Sequence, residues 1–372
     1  AGLLGRRSAR SSGGVGAVVY NNVAGELPPT FSYGGGNVTV PTVTLNNRDG
    51  ALLRSTSGAR VTISLEGGIP VAGYISGFSS RGPSLYTNGL KPDISAPGSN
   101  IVSTGAGSGD HPETMSGTSM AAPHIAGVLA LLKQANPSWS AQEMSAAIVN
   151  TASPTVVDLL GLNPDNTPRS ASVSLSRQGA GLVDAYKAAT TRTLIWVPDA
   201  VASLSFGFQA VDGTKSITRQ FMVANKDAMA RTYNLSFAPF APLPAGTTVS
   251  FSPSSVTVPA GGTATVTATL TIVAAGLKPY GMINQNAVNP TRLTDAEITG
   301  FVKATEQGGA GEAVTAPLYA VARPASAVTP PSGDLPMTKF GMEDATTVKL
   351  ANSSATAGNV EILTLMGSDP NE

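Results

Sequence analysis

The stretch Ser116–Gly127, with the sequence SGTSMAAPHIAG, combines a glycine, a hydroxyl and a run of small residues. Gly117 would allow the backbone to turn tightly, and a helix is predicted from Ser119 to about Asn136, before Pro137. Ser119 would then lie at a helix N-terminus, where free N–H groups and the positive end of the helix dipole favour a developing negative charge. This pattern suits a nucleophilic hydroxyl beside an oxyanion donor.

The residues after Ser119 predict how this helix packs. Pro123 is expected in the first turn, where its missing N–H costs nothing. Four small side chains predict a helix that is buried against close neighbours: Ala121, Ala122, Ala126 and Gly127. A serine that only caps a helix is the common alternative for an isolated Ser, so the length of the surrounding motif decides between the two interpretations.

The complete segment resembles the nucleophile signature of the subtilisin-like serine proteases (subtilases), Gly-Thr-Ser-Met-Ala-x-Pro-His-x-Ala-Gly. Three other blocks resemble that family around its nucleophile: Phe78–Pro83, Lys91–Gly98 and Gln178–Val183. The resemblance implies a serine endopeptidase that hydrolyses proteins through an acyl-enzyme on Ser119, with the Ser119 backbone N–H donating to the oxyanion. It also implies four residues that support the nucleophile loop: Gly117, Thr118, Met120 and Pro123.

Composition limits the other functions. The 372 residues include 41 Gly and 27 Pro, which favours a loop-rich fold with much β-structure. Because 23 basic residues balance 23 acidic ones, a nucleic-acid partner is not expected. The absence of cysteine excludes disulfides and thiolate chemistry. The longest apolar stretch, Ile125–Leu132, is far shorter than the roughly 18 residues of a membrane-spanning helix.

The chain has only two histidines to act as a base. His124 follows Ser119 by five residues, about 500° of helical rotation, so it is interpreted as a packing or helix-positioning residue. His111 is expected on a solvated loop, and its folding back onto Ser119 is the alternative. Subtilases carry the triad Asp and His and the oxyanion Asn before the serine, and no matching block occurs here. We therefore expect these residues in an upstream part of the same protein, and an inactive isolated chain.

The resemblance extends to the N-terminal half. Residues 1–55 resemble the second half of a protease-associated domain, through Val18–Asn21 and Val40–Val43. Residues 56–192 are expected to form the C-terminal part of a subtilisin-like catalytic domain with an α/β three-layer fold. The start of the sequence, without an initiator Met, suggests that the chain begins inside a larger protein.

The C-terminal half is predicted to be all-β. In Thr263–Ile272, apolar residues alternate strictly with threonines, as in a strand with one solvated face. Residues 193–325 resemble the fibronectin type III-like sandwich of large secreted subtilases, through Asn225, Tyr233 and Pro259–Thr263, among others. Residues 326–372 are expected to be a linker and the start of a further β domain.

Two local predictions lie between these parts. Ser138 or Ser140 is expected to cap a second helix that ends near Asn150, with Glu143 at capping-box spacing from Ser140. Val156–Ser174 is expected to be a surface loop.

The subtilase interpretation implies polypeptide substrates and an extracellular location, secreted or at the cell surface. No cofactor or metal is predicted, since no acidic cluster offers the six to eight oxygen ligands of calcium, although a structural calcium is compatible with the family. The alternative is a non-catalytic extracellular binding or display module. An α/β-hydrolase is excluded because Ser119 lacks the Gly-x-Ser-x-Gly context.

Overall fold

The fold is taken from a computed structural model of the chain. The described residues are 13–20, 40–62, 72–162, 168–198, 202–277, 297–308, 313–325, 328–329 and 351–352. None of the described helices is both long and apolar enough to cross a membrane.

The first described elements are two parallel strands followed by a helix. Strand β1 (Ala17–Tyr20) pairs with β2 (Thr42–Leu45), and helix α1 (Asn47–Ser55) follows directly. The Asn46 side chain caps α1 by accepting a hydrogen bond of 2.8 Å from the backbone N–H of Asp49. These strands and this cap follow from the apolar runs and the asparagine pair in the sequence.

The segment that carries Ser119 begins with an antiparallel pair, β3 (Ile101–Thr104) and β4 (Pro112–Met115). Helix α2 (Thr118–Ala135) leaves β4 after a two-residue connection, and helix α3 (Ala141–Asn150) follows. Ser140 caps α3 in a complete capping box with Glu143, as its spacing predicts.

The prediction of a surface loop over 156–174 is wrong. Its backbone forms an antiparallel hairpin of β5 (Val157–Leu162) and β6 (Pro168–Ser172). Between the strands the sequence NPDNT is rich in turn-forming residues, which signals a hairpin as readily as a loop. Two short helices complete this part, α4 (Leu175–Gln178) and α5 (Ala185–Thr190). Residues 72–192 are called the helical region below.

Residues 193–325 are called the two-sheet region, because their described strands form two sheets. Its strands are β7 (Thr193–Trp196), β8 (Leu204–Val211), β9 (Thr214–Asn225), β10 (Arg231–Pro239), β11 (Thr248–Ser252), β12 (Ser255–Val258), β13 (Thr263–Val273), β14 (Glu297–Glu306) and β15 (Ala313–Pro324). One sheet has the order β12-β10-β14-β15-β8 and the other β11-β13-β9-β7. All pairs are antiparallel except the parallel pair of β8 with β15.

The two sheets share one hydrophobic core. On β13, Val266, Ala268, Leu270 and Ile272 are fully buried and alternate with more exposed threonines, as predicted. Phe221 of β9 packs among them and meets Phe251 edge-on at 6.0 Å between ring centroids. Strand alternation in the sequence therefore places this core correctly.

The core of the helical region is smaller and continues onto the sheets. Helix α3 contributes Ala147 and Ile148, and α2 contributes Leu132. These pack with Leu194 of β7 and Ala224 of β9, so the two regions are joined by apolar contact. Of the predicted further β domain over 326–372, most residues lie outside the described ones, which include a small pair of β16 (Val328–Thr329) and β17 (Ala351–Asn352).

Candidate active site

Ser119 is the second residue of α2, and its side chain is exposed, as is that of Thr118. Gly117 is the N-cap, and its carbonyl accepts the N–H groups of Met120 at 3.0 Å and Ala121 at 3.4 Å. The Ser119 N–H lies too close to the start of the helix to have a helical carbonyl four residues earlier. No acidic residue lies in the first turn. The site therefore combines an accessible hydroxyl, an adjacent N–H donor and an uncompensated positive helix end.

The tight turn expected at Gly117 is not found. Its backbone is extended, at φ 162° and ψ 163°, and a Cβ there would only make ordinary contacts, the nearest at 3.6 Å. The close approach is instead at Gly98, whose added Cβ would lie 2.9 Å from the Gly117 carbonyl oxygen and 3.3 Å from Ala121 Cβ. Gly98 also accepts the Gly117 N–H at 2.8 Å. The required glycine is therefore Gly98.

Pro123 is not in the first turn, which corrects its expected position. Because α2 begins at Thr118, Pro123 is the sixth helical residue and lies inside the helix. Its missing N–H is the one that would otherwise bond to the Ser119 carbonyl, four residues earlier. The proline therefore removes the ordinary helical partner of the Ser119 carbonyl.

The prediction that α2 is buried is also wrong for the described structure. Leu132 is its one fully buried residue, whereas Ala122, Ala126 and Gly127 are exposed and Leu131 is 57% exposed. The helix packs mainly against α3 and α5, which cover one side of it. Small side chains allow close packing, but they do not supply the partner that buries them.

His124 contacts the preceding turn of its own helix, which agrees with the helix-positioning alternative. Its Nδ1 atom lies 2.8 Å from the carbonyl oxygen of Met120, one turn earlier on α2, and the ring is half-buried. This contact directs the imidazole along the helix and links it to the residue after Ser119. Met120 also turns toward the nucleophile loop, since its sulfur lies 3.7 Å from the Cβ position of Gly117.

His111 lies away from Ser119. It directly precedes β4 and its carbonyl closes the β3–β4 hairpin by accepting the Gly105 N–H at 2.9 Å. Met115 ends the same strand near Ser119, so about 13 Å of extended chain separates the two ends. The His111 side chain is exposed, as expected for a solvated loop. The structure therefore brings neither histidine of the chain to the serine.

Two of the blocks that resemble the subtilase sequence, Lys91–Gly98 and Gln178–Val183, are joined by hydrogen bonds. Asp93 accepts the Ala180 N–H at 2.9 Å, and the Ser95 backbone N–H donates to Gly181 at 2.8 Å. The Ser95 hydroxyl donates to the carbonyl of Gln178 at 2.9 Å. The segment then continues to Gly98 and its contact with Gly117. Sequence blocks separated by more than 80 residues thus form one support for Ser119.

Sequence reasoning missed one polar contact of this loop. The Ser116 hydroxyl accepts the backbone N–H of Asn100 at 2.8 Å. Asn100 has a left-handed backbone, at φ 54°, which asparagine adopts more readily than most residues. The Ser-Asn pair in the sequence could have indicated a left-handed residue at a turn. Nothing in the sequence indicated that Ser116, 16 residues later, accepts the Asn100 N–H.

Comparison with known proteins gives the family. A profile described as "Subtilase family" matches residues 14–181. The chain is 36% identical over 239 residues to the minor extracellular protease Vpr of Bacillus subtilis, covering 62% of this chain and 27% of that protein. The chain belongs to the subtilase family. Subtilase domains are serine peptidase domains with an α/β fold, and the segment Ser116–Gly127 lies within the matched residues.

Two other relatives match shorter parts. The subtilisin-like protease SBT3.16 of Arabidopsis thaliana is 40% identical over 123 residues, covering 33% of this chain and 16% of that protein. Bacillopeptidase F of Bacillus subtilis is 36% identical over 143 residues, covering 38% of this chain and 8% of that protein. The chain therefore spans less than a third of the length of these relatives.

Solved structures add little to this assignment. A PapD-like domain of human CEP192 aligns at 12% identity with a TM-score of 0.24, covering 36% of this chain and 87% of that one. A likeness of this size carries no functional argument.

Proposed function

We propose that this subtilase is a serine endopeptidase in which Ser119 is the nucleophile. The observation that carries the proposal is the accessible Ser119 hydroxyl at the N-terminus of α2, beside its own helix-free N–H. The Ser119 oxygen attacks the scissile carbonyl carbon, its proton passes to a base, and the peptide nitrogen leaves with a proton. Water then hydrolyses the acyl-enzyme. The Ser119 N–H and the positive helix end stabilise the oxyanion in both steps.

The base is proposed to come from a part of the protein outside this chain. His124 contacts the Met120 carbonyl, and His111 lies at the far end of the β3–β4 pair. A serine hydroxyl without a base is a weak nucleophile at neutral pH. We therefore propose that the triad His and Asp and the oxyanion Asn are supplied upstream, and that the isolated chain does not hydrolyse peptides.

The remaining parts are proposed to follow the large secreted subtilases. Residues 1–55 are assigned to a protease-associated domain, 56–192 to the C-terminal part of a three-layer catalytic domain, and 193–325 to a fibronectin type III-like sandwich. Support comes from the two sheets with one core in the last segment. The linker and further β domain over 326–372 rest on sequence alone. Polypeptide substrates and an extracellular location are proposed, in keeping with the name of the Vpr relative.

A fluorophosphonate probe tests this function, because it labels only an activated serine. We expect labelling of the full-length protein, its loss in Ser119→Ala, and at least a 100-fold slower reaction of the isolated chain, since a base typically contributes about 10²–10⁴-fold. Ser116→Ala is the matched control, since it removes a hydroxyl that accepts the Asn100 N–H in the same segment, and it should still be labelled.

Two results would count against the proposal. Rapid labelling of the isolated chain at Ser119 would show that a base is present in it and would return His111 to consideration. An unlabelled full-length protein would support the non-catalytic binding module instead.

A further inference from the structure

A buried carboxyl group lies where the helical region meets the two-sheet region. Glu297, the first residue of β14, is only 8% exposed. Tyr319 of β15 covers it from the two-sheet region, and Leu175 of α4 packs in the same cluster as Tyr319 from the helical region. Apolar side chains of both regions surround the junction: Leu90, Leu175, Phe301 and Val321. A carboxyl group in such a place is unusual, because burial of its charge is costly.

The hydrogen bonds of this carboxyl are incomplete. The Tyr319 hydroxyl donates to Glu297 Oε1 at 2.9 Å, whereas the Ser176 hydroxyl pairs with the Ser174 hydroxyl at 2.9 Å. Glu297 Oε2 is buried and has no hydrogen-bond partner among the described residues. An ionised carboxylate would leave this oxygen unsatisfied. A proton on the carboxyl removes the buried charge and turns one oxygen into a donor.

One positive charge faces the site from the helical region. The Arg81 guanidinium acts electrostatically on both Glu297 and Tyr319, and it bonds to Ser174 at 3.3 Å. It forms no ion pair with Glu297 within 4.0 Å in the described structure, and its Nε atom is buried without a partner there. Arg81 and Tyr319 are the only charged or titratable groups among the described residues that act on this carboxyl.

These groups have opposite effects on Glu297. Burial raises the pKa of Glu297 above its ordinary value, and the hydroxyls of Ser176 and Tyr319 and the charge of Arg81 offset this only in part. Burial also raises the pKa of Tyr319, so that its hydroxyl stays protonated. The balance favours a neutral carboxyl into a higher pH range than for an exposed glutamate.

The junction is connected to the nucleophile loop by backbone contacts. The Ser176 carbonyl accepts the Gly82 N–H at 2.7 Å, which holds the Phe78–Pro83 block. Two residues later on α4, the Gln178 carbonyl accepts the Ser95 hydroxyl, and the Ser95 segment leads to Gly98. A shift of α4 away from β14 would therefore change the contacts of α4 with Gly82 and Ser95, and through Ser95 the position of the segment that contacts Gly117.

We propose that the Glu297 carboxyl is a proton-dependent contact that holds α4 and the Arg81 loop against the two-sheet region when protonated and loosens them when it ionises. The step releases one proton from the carboxyl to solvent and leaves a buried carboxylate. Water then enters to solvate the charge, or Arg81 moves toward it, and either movement disturbs the packing of α4. This inference goes beyond the proposed peptidase activity and does not depend on it.

The sign of the pH effect follows from the raised pKa. The folded chain holds this proton to higher pH than the unfolded chain, so the stabilisation is complete below about pH 4.5 and is lost as pH rises through the folded value. Protein stability should therefore fall on the alkaline side of that window.

The test compares thermal unfolding of this chain and its Glu297→Gln variant between about pH 5 and about pH 8. Glutamine keeps the shape of the neutral carboxyl and cannot ionise. We expect the wild-type midpoint to fall by about 2–4 °C relative to the variant across this range. Tyr319→Phe removes a donor to the carboxylate and should enlarge the wild-type loss. Hydrogen exchange at the Gly82 amide, corrected for its intrinsic pH dependence, should accelerate with pH in the wild type only.

Glu306→Gln is the matched control, since it removes a carboxyl from the other end of β14, where Glu306 bonds to Arg231. It should keep the wild-type dependence on pH. Equal pH slopes for the wild type and Glu297→Gln would overturn the proposal. So would Gly82 protection that is independent of pH in the wild type.

Discussion

The two regions of this subtilase close their cores in different ways. The two-sheet region buries alternating side chains of β13 between its own sheets, and its core is completed within residues 193–325. The helical region buries little of α2, and its core includes Leu194 and Ala224 from the sheets. The comparison indicates that the two-sheet region carries its own stability, whereas the helical region gains part of its stability from the contact between them.

The largest effect is expected from the core of the two-sheet region. Phe221→Ala removes a fully buried ring that packs edge-on against Phe251, and should cost about 3–5 kcal/mol of unfolding free energy. Urea denaturation followed by circular dichroism measures it. Phe208→Ala, at a ring that is 45% exposed, is the control and should cost about 1 kcal/mol or less. Similar losses in both variants would show that the shared core is not what stabilises this region.

The next largest effect is expected at the contact between the regions. Asn150, the last residue of α3, is 2% exposed. Its side-chain amide donates to the Thr315 carbonyl at 3.1 Å, and its oxygen accepts the Ile195 N–H at 2.7 Å. Asn150→Ala removes these hydrogen bonds from the Thr315 carbonyl and the Ile195 N–H. Each buried polar group left without a partner costs about 1–3 kcal/mol. We expect a loss of about 2–4 kcal/mol in urea denaturation, which leaves the helical region the first to unfold.

Asn136→Ala controls for that result. Asn136 caps the end of α2, and its amide donates to Ala189 at 3.0 Å within the helical region. Its partly exposed position allows water to replace the lost bond, so the cost should be about 1 kcal/mol. If Asn136→Ala proves as harmful as Asn150→Ala, the contact between the regions has no special weight.

Local patterns in the sequence predicted the elements but not their neighbours. The bounds of α2, the Ser140 cap and the alternation on β13 follow from residues close together in the chain. The burial of α2 was wrong because it depends on which elements pack against the helix. The Val156–Ser174 loop was wrong because turn-forming residues occur in loops and hairpins alike.

The candidate site shows the same limit. The position of Ser119 at a helix N-terminus was predictable from the motif, as was the helix-positioning alternative for His124. The requirement for a residue without a Cβ at Gly98 was not predictable, because it arises from contact with Gly117, 19 residues later. The Glu297 junction was missed altogether, because its groups lie as far apart in sequence as Arg81 and Tyr319.

A smaller effect is expected at the glycine that supports the nucleophile loop. Gly98→Ala places a Cβ 2.9 Å from the Gly117 carbonyl oxygen, so the loop must shift. We expect a loss of about 1–3 kcal/mol in thermal unfolding, as for other overpacked sites. Gly117→Ala, whose Cβ meets nothing closer than 3.6 Å, should cost less than Gly98→Ala. The reverse order would restore the original interpretation of Gly117 as the tight turn.

The smallest effect is expected at a second polar contact between the regions. Glu143 of α3 pairs with Lys226, which follows β9, and both side chains are mostly buried. Burial raises the pKa of Glu143, but the bonds from Lys226 and Ser140 outweigh it and lower the value overall. Stability from this pair is therefore present above about pH 4.5 and is lost as pH falls through the folded value. Glu297 has the opposite dependence, so these two separate contacts between the regions respond to pH in opposite directions.

The Glu143→Gln variant tests how the contribution of the Glu143 charge to stability depends on pH. Glutamine can retain the capping box with Ser140, so the change removes mainly the charge that faces Lys226. We expect a loss of about 1 kcal/mol near neutral pH that shrinks toward pH 3, measured by urea denaturation at several pH values. A loss that is constant with pH would show that Glu143 acts only as a cap. The Glu143–Lys226 contact lies outside the two-sheet core, so its loss should leave that core intact. If Glu143→Gln weakens both regions equally, this contact is not a place where the helical region gains its stability.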